Sequence, residues 1–256
     1  MITIKESTYR CVHNQLIQYP EFKNDNLSFK TQYNTASENL NLVKKYGFDK
    51  FFFHTDFFYG IVKLNQLVHR IVPSGDKLIT NPCEYNGFEL LSYCLKGYGL
   101  NCTGYSIILN EILLTLGYKS KCIWCLSSKH PYDNECHALN HVLDPQRHTW
   151  FVVDSAFGCI PVKNHMGMDI FALRDCLIKN EPFDLLKSIK MYGDSYKSMY
   201  SRYLTKNIFL VLKSSGLIYD TKNNAILVVP VGFERNQSRD YPYPYFITQN
   251  RSFIEE

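Results

Sequence analysis

The sequence predicts an α+β fold, and three observations carry that prediction. Apolar residues recur at helical spacing through much of the first half of the chain, a segment just after residue 100 is apolar on almost every side, and short β-branched and aromatic runs separated by turn signals follow it. The chain has 256 residues, 45% of them hydrophobic and 15% aromatic, enough to bury one sizeable core. No internal repeat, low-complexity stretch or Pro/Gly/Ser-rich linker divides it. One domain is therefore expected over 1–256, with a core at about 80–160, a helical part over 1–79 and a helical and hairpin part over 161–256.

The first fifty residues are rich in Asn, Lys and Ser with scattered apolar positions, and predict short helices and loops that wrap the core. From Thr55, the run TDFFYGIVKLNQLVHRIV places Phe58, Ile61, Val62, Leu64, Leu67, Val68 and Ile71 near helical spacing, and Pro73 stops it. The segment NGFELLSYCLKGYG predicts a second helix, with Phe88, Leu91 and Leu95 on one stripe and Gly97 and Gly99 ending it. NCTGYSIILNEILLTLG then carries Ile107, Ile108, Leu109, Ile112, Leu113, Leu114 and Leu116 around most of its circumference, so it is a helix buried on most sides, stopped at Gly117. KCIWCLS has strand composition, and HALNHVL and TWFVVD flank DPQRH as an antiparallel hairpin. Further on, MDIFALRDCLIKN and SYKSMYSRYLTKNIFLVLKSS predict helices, GLIYDTKNNAILVVP a hairpin around Asn223 and Asn224, and YPYPYF an extended strap.

Composition narrows the function. Lys+Arg total 28 against 24 for Asp+Glu, and a dispersed net charge of +4 provides no basic track for nucleic acid, even with 19 Tyr and 17 Phe available to stack. The first twenty residues lack the apolar core segment of a secretion signal, and no apolar run approaches the length of a membrane span. A soluble, cytoplasmic protein with no membrane partner is expected. Nine cysteines, an odd number, suit reduced thiols better than a disulfide framework.

One of those thiols stands where it can react. Cys102 falls at a helix start, where unpaired N–H groups and the positive dipole end stabilise a thiolate and where its own N–H can face an oxyanion. Taken alone, a cysteine there reads equally as a small buried hydrophobe. A nucleophile needs a base, and the base an orienting acid. If Pro145 and Gln146 are the central turn residues of the hairpin, counting outward sets His137 opposite Asp154 and His141 opposite Trp150. With the turn centred on Arg147 and His148, His141 faces Asp154 instead, which makes it the rival base.

The succession GLNCTGYSIILNEILLTLGYKSKCIWC followed by CHALNHVLDPQRHTWFVVDSAFG resembles the transglutaminase-like superfamily. That family's papain-like core has a Gly-x-Cys-type helix start, a Leu-Gly helix end, a strand, and a His-strand-turn-Trp-x-x-x-Asp hairpin. The resemblance covers roughly the middle of the chain and implies Cys102 as nucleophile, His137 as base and Asp154 as orienting acid; the His-to-Trp and Trp-to-Asp intervals are similar to those of peptide N-glycanases. It departs at Leu139 and His141, where the family often has an aromatic and an acidic residue, and at Ser155 and Ala156, where Pro-Thr is common. The implied function is cysteine-dependent acyl transfer on a peptide, protein or small amide or acyl substrate, by hydrolysis or by transfer to an amine, with no cofactor. The alternative is a catalytically silent binding module on the same fold.

Other readings compete for some of these residues. Cys122 and Cys125 form a C-x-x-C with His130, Cys136 and His137 nearby, but on a strand residues three apart point to opposite faces, so no metal site is expected. The cluster FFFHTDFFYG is expected to pack inside, with His54 and His69 as ordinary helix or loop residues. Asn81 and Asn86 stand upstream as candidates for a second oxyanion donor or as turn and cap residues.

Overall fold

The chain is described from a computed structural model, over residues 4–23, 37–52, 56–73, 77–130, 132–133, 135–187, 190–191, 193–214, 225–233 and 246–249. Helix and sheet are mixed. The helices are α1 (Glu6–Gln18), α2 (Ser37–Tyr46), α3 (Phe57–Ile71), α4 (Gly87–Leu95), α5 (Cys102–Thr115), α6 (Ile170–Lys179) and α7 (Asp194–Asn207). The strands are β1 (Leu78–Ile79), β2 (Gly99–Leu100), β3 (Ser120–Leu126), β4 (Cys136–Asp144), β5 (Thr149–Val153), β6 (Ile160–Lys163), β7 (Met166–Gly167), β8 (Asp184–Lys187), β9 (Lys190–Met191), β10 (Leu210–Ser214), β11 (Ala225–Val228) and β12 (Phe246–Thr248). A six-stranded sheet runs β12-β11-β10-β3-β4-β5, antiparallel except where β12 joins β11; a four-stranded antiparallel sheet runs β7-β6-β8-β9, and β1 pairs parallel with β2.

Helix α5 is the centre of the core. Ile107, Ile108, Leu109, Ile112, Leu113 and Leu114 are all buried, each such side chain stabilising the fold by roughly 1.5–3 kcal/mol through removal from water. Its end is fixed by Gly117 at φ 83, whose N–H donates to Leu114 O (2.9 Å) while the Tyr118 N–H donates to Leu113 O (2.9 Å). The Tyr118 ring then packs on Phe52 and Phe57 at 4.8 and 4.7 Å, so part of the predicted aromatic cluster is indeed internal. At the start of the helix, Gly104 lets the chain approach β2, since a Cβ there would lie 2.9 Å from Leu100 Cβ.

The helix is tied to β4 as well as packed on it. Ser106 Oγ donates to Leu139 O (2.9 Å), and Asn140 Nδ2 donates to Ser106 O (2.9 Å). Trp124 Nε1 on β3 donates to Thr103 Oγ1 (3.2 Å). These buried bonds set the height of the helix start against the strands.

Three expectations need correction. The β4–β5 hairpin pairs Asp144 with Thr149, His141 with Val152 and Leu143 with Trp150, so its turn is centred on Gln146 and Arg147, midway between the two registers weighed from sequence. The reason is Asp144: its Oδ1 accepts from the N–H groups of Gln146 and Arg147 (2.8 and 3.1 Å), its Oδ2 holds the Arg147 guanidinium (2.7 Å), and His148 takes a left-handed φ of 52 to close the four-residue turn. The run SYKSMYSRYLTKNIFLVLKSS is a helix only to Asn207; Leu210–Ser214 is a strand, because buried Leu210, Val211 and Leu212 insert between β3 and β11. The antiparallel partner of Ala225–Val228 is therefore β10; the GLIYDTKNN run and the YPYPY portion of the strap lie outside the described residues.

Candidate active site

Cys102 is the first residue of α5 and is half-buried. Asn101 precedes it with extended backbone (φ −82, ψ 178), and its Oδ1 accepts from Gly104 N (3.2 Å), which caps the helix and leaves the other first-turn N–H groups without intrahelical acceptors. His137 and Asp154 are almost fully buried, at 1% and 0% exposure. His137 Nε2 and Asp154 Oδ2 are 2.7 Å apart. The shifted register makes them diagonal rather than direct neighbours across the hairpin, and because the shift moves every pairing by two residues, both side chains stay on one face. The long imidazole spans the diagonal.

Asp154 leaves β5 into a tight turn. Its N–H donates to Cys159 O (3.0 Å), the Cys159 N–H donates back to Asp154 O (2.9 Å), and Oδ1 accepts from Phe157 N (2.9 Å), which leaves Oδ2 for the histidine. Phe157 and Tyr203 of α7 close over the imidazole edge-on at 5.3 and 5.1 Å. The ring's other nitrogen, Nδ1, is buried and makes no hydrogen bond of ordinary geometry among the described residues, yet His137 and Cys102 are close enough to shift each other's protonation.

Those shifts have identifiable causes. The neighbouring Cys136 thiol has the largest effect on Cys102 and lowers it; burial opposes, the His137 ring and the Ala138 backbone add to the lowering, and the thiol is held down to about 4 against an ordinary 9.0. Cys136 is driven upward in return by Cys102 and by burial. For His137, burial acts to lower, but the charge of Asp154 and its hydrogen bond, followed by Cys102, outweigh it and raise the imidazole to about 10 from 6.5. The thiol lowered and the imidazole raised together favour a thiolate–imidazolium pair over the neutral one. Tyr203 from α7 and Cys125 from β3 also interact with the Cys102 thiol, and burial pushes both of them up, away from the charged form.

His141 is placed apart from this group. It is fully buried and stacks on Trp150 at 5.1 Å, with Lys121 Nζ 3.9 Å from the centre of the same indole. Cys122 and Cys125 lie on opposite faces of β3, the first 3.9 Å from Asn140 Nδ2 and the second paired across the ladder with His137. Among the described residues no group of three His, Cys, Asp or Glu side chains is arranged to hold a metal ion. Asn81 donates to Glu84 Oε1 (2.5 Å), and Asn86 caps α4 by accepting from Phe88 N and Glu89 N, so both act locally as turn and cap residues.

Sequence reasoning passed over several participants. Asn65 and Gln66 of α3 are buried and bond the Asp154–Cys159 turn, and His69, read as an ordinary helix residue, joins them through Nδ1, which is 3.0 Å from Ser155 O. The available signal was the polar trio itself, at helical spacing in an otherwise apolar run. Ser106 and Asn140 were equally visible as polar residues inside buried elements.

No protein-family model and no curated protein matches the chain. Among solved structures, a protein from Cytophaga hutchinsonii assigned provisionally as a cysteine protease is similar at 11% identity and a TM-score of 0.36, over 54% of this chain and 46% of that one. The chain thus spans about half the length of that protein. No helix among the described residues is long and apolar enough to cross a membrane.

Proposed function

We propose that the chain is a cysteine-dependent acyl-transfer enzyme of transglutaminase-like, papain-like architecture, with Cys102 as nucleophile, His137 as base and acid, and Asp154 as the group that orients it. The observation that supports this most is the buried 2.7 Å contact between His137 Nε2 and Asp154 Oδ2, set beside a thiol at a helix start. A carboxylate on Nε2 fixes the tautomer and leaves Nδ1 as the working nitrogen.

In this reading the Cys102 thiolate attacks the acyl carbon of a peptide, protein or small amide. The carbonyl oxygen gathers negative charge at the start of α5, where the Cys102 N–H and the helix dipole stabilise it. Nδ1–H of His137 gives its proton to the departing amine as the C–N bond breaks, and a thioester remains on Cys102. Nδ1 then takes a proton from water or an amine as that group attacks, and the thiolate is released. Water as acceptor makes a peptidase or amidase; an amine makes an acyltransferase. Intact-mass analysis after exposure to a library of activated amides tests the proposal. A stoichiometric acyl adduct on Cys102, absent in Cys102→Ala and discharged by water or by an added amine, is expected. Equal modification of all nine thiols would favour the silent binding module.

A further inference from the structure

We infer that Asn65, Gln66 and His69, on one face of α3, form a positioning clamp that holds Asp154 against His137 by gripping the main chain of the turn that carries it. The inference rests on the thiol-enzyme reading above and extends it to residues that touch neither substrate nor thiol.

Asn65 and Gln66 are 1% and 6% exposed, in a helix whose other buried positions include Ile61, Val62, Leu64 and Val68. Burying an amide costs roughly 1–3 kcal/mol unless its groups are bonded, and here the bonds converge on one six-residue segment. Asn65 Nδ2 faces both Asp154 O (3.4 Å) and Cys159 O (3.3 Å), the two positions that close the turn on each other. Its Oδ1 accepts from Ser155 Oγ (2.8 Å), so the serine standing where the resembled family commonly has proline is the reciprocal half of the clamp. Gln66 Nε2 donates to Gly158 O, and His69 Nδ1 donates to Ser155 O at 3.0 Å. Four carbonyl oxygens of the turn, at 154, 155, 158 and 159, are thereby held from one helix.

Gly158 shows how closely the clamp is seated. Its φ is +64, and a Cβ built there would fall 2.7 Å from the His69 ring, in the space the imidazole occupies. The turn, so fixed, holds the Asp154 carboxylate through Phe157 N on Oδ1 and points Oδ2 at His137. Purely apolar packing from α3 would resist separation of helix and turn but not sliding between them, and an error of about 1 Å in a catalytic group is enough to cost some 10²-fold.

The test measures the pH profile of iodoacetamide alkylation at Cys102, read by peptide mass, beside thermal unfolding, for the wild type and for Asn65→Leu, Ser155→Ala, His69→Leu and His69→Asn. In Asn65→Leu the upper step of the profile, where the imidazolium loses its proton, is expected to fall from near pH 10 by a unit or more. His69→Leu should move the same way, and His69→Asn, whose amide replaces the Nδ1 donor, should restore the profile. Ser155→Ala removes a single hydroxyl, so it decides the matter if Asn65→Leu does not fold. Lowered melting temperatures with superimposable pH profiles would overturn the clamp and leave the thiol-enzyme reading standing. A wild-type Cys102 that titrates as an ordinary thiol would overturn both.

Discussion

Replacing Asp154 by Asn isolates the electrostatic contribution of the carboxylate, because the side chain keeps its shape and loses its charge. His137 is held at about 10 instead of 6.5 while almost fully buried, and at about 1.4 kcal/mol per pKa unit that difference corresponds to roughly 5 kcal/mol favouring the imidazolium. With the charge gone, burial acts unopposed by Asp154, and the imidazole loses its proton at lower pH. The Cys102 thiolate then loses the cation beside it and its pKa climbs from about 4 toward 9.0, with the Cys136 thiol still opposing the rise. At that limit only about 1 thiol in 10,000 is ionised at pH 5, but a more basic thiolate is more nucleophilic by about 200-fold (Brønsted β near 0.45), so the net fall in alkylation is at most about 50-fold at pH 5 and about 5-fold at pH 6. The slope discriminates better than the rate: wild-type alkylation should be flat between pH 5 and 8, and the variant should climb toward tenfold per unit. Stopped-flow alkylation across that range provides the measurement. A flat profile in Asp154→Asn refutes the assignment of Asp154 as the group that holds the pair charged.

Three further outcomes follow from the same geometry. Cys136→Ala removes the largest influence lowering Cys102, so the rise of thiolate absorbance at 240 nm should move upward from about pH 4. Ser106→Ala deletes one of the two hydrogen bonds tying α5 to β4; urea unfolding should show a loss of about 1 kcal/mol, with slower acylation of Cys102 by an activated amide. Gly158→Ala demands a left-handed alanine inside the His69 ring's contact shell, and a loss of about 2 kcal/mol or more in chemical denaturation is expected.

The parts of the fold legible in the sequence are those governed by local periodicity. Helix α5 announced itself by apolar residues on every side and by Gly117, and the structure uses that glycine at positive φ as the stop. The β3, β4 and β5 runs were equally plain, and the parity of His137 and Asp154 survived an error in register because the shift was even. What misled was placing the turn centre at Pro145 and Gln146: the Asp144 side chain organises the amides of Gln146 and Arg147, so the hairpin closes one residue later. Strand β10 was hidden because Ile208–Ser214 continues without a break from a helical run, and only its neighbours β3 and β11 make it extended. The role of α3 could not be read locally, since its bonding partners lie about ninety residues away in sequence.

A grip on carbonyl oxygens takes no notice of side-chain identity. Every peptide unit offers the same acceptor, so within the turn side-chain type is fixed only at Ser155, whose hydroxyl reaches Asn65, at Phe157, whose ring covers His137, and at Gly158 with its left-handed φ. The segment after the acidic residue therefore carries only part of a signature of this site. A better one is a pattern shared by two distant stretches: an Asn-Gln-x-x-His on an apolar helix together with an acidic residue followed, four positions on, by glycine.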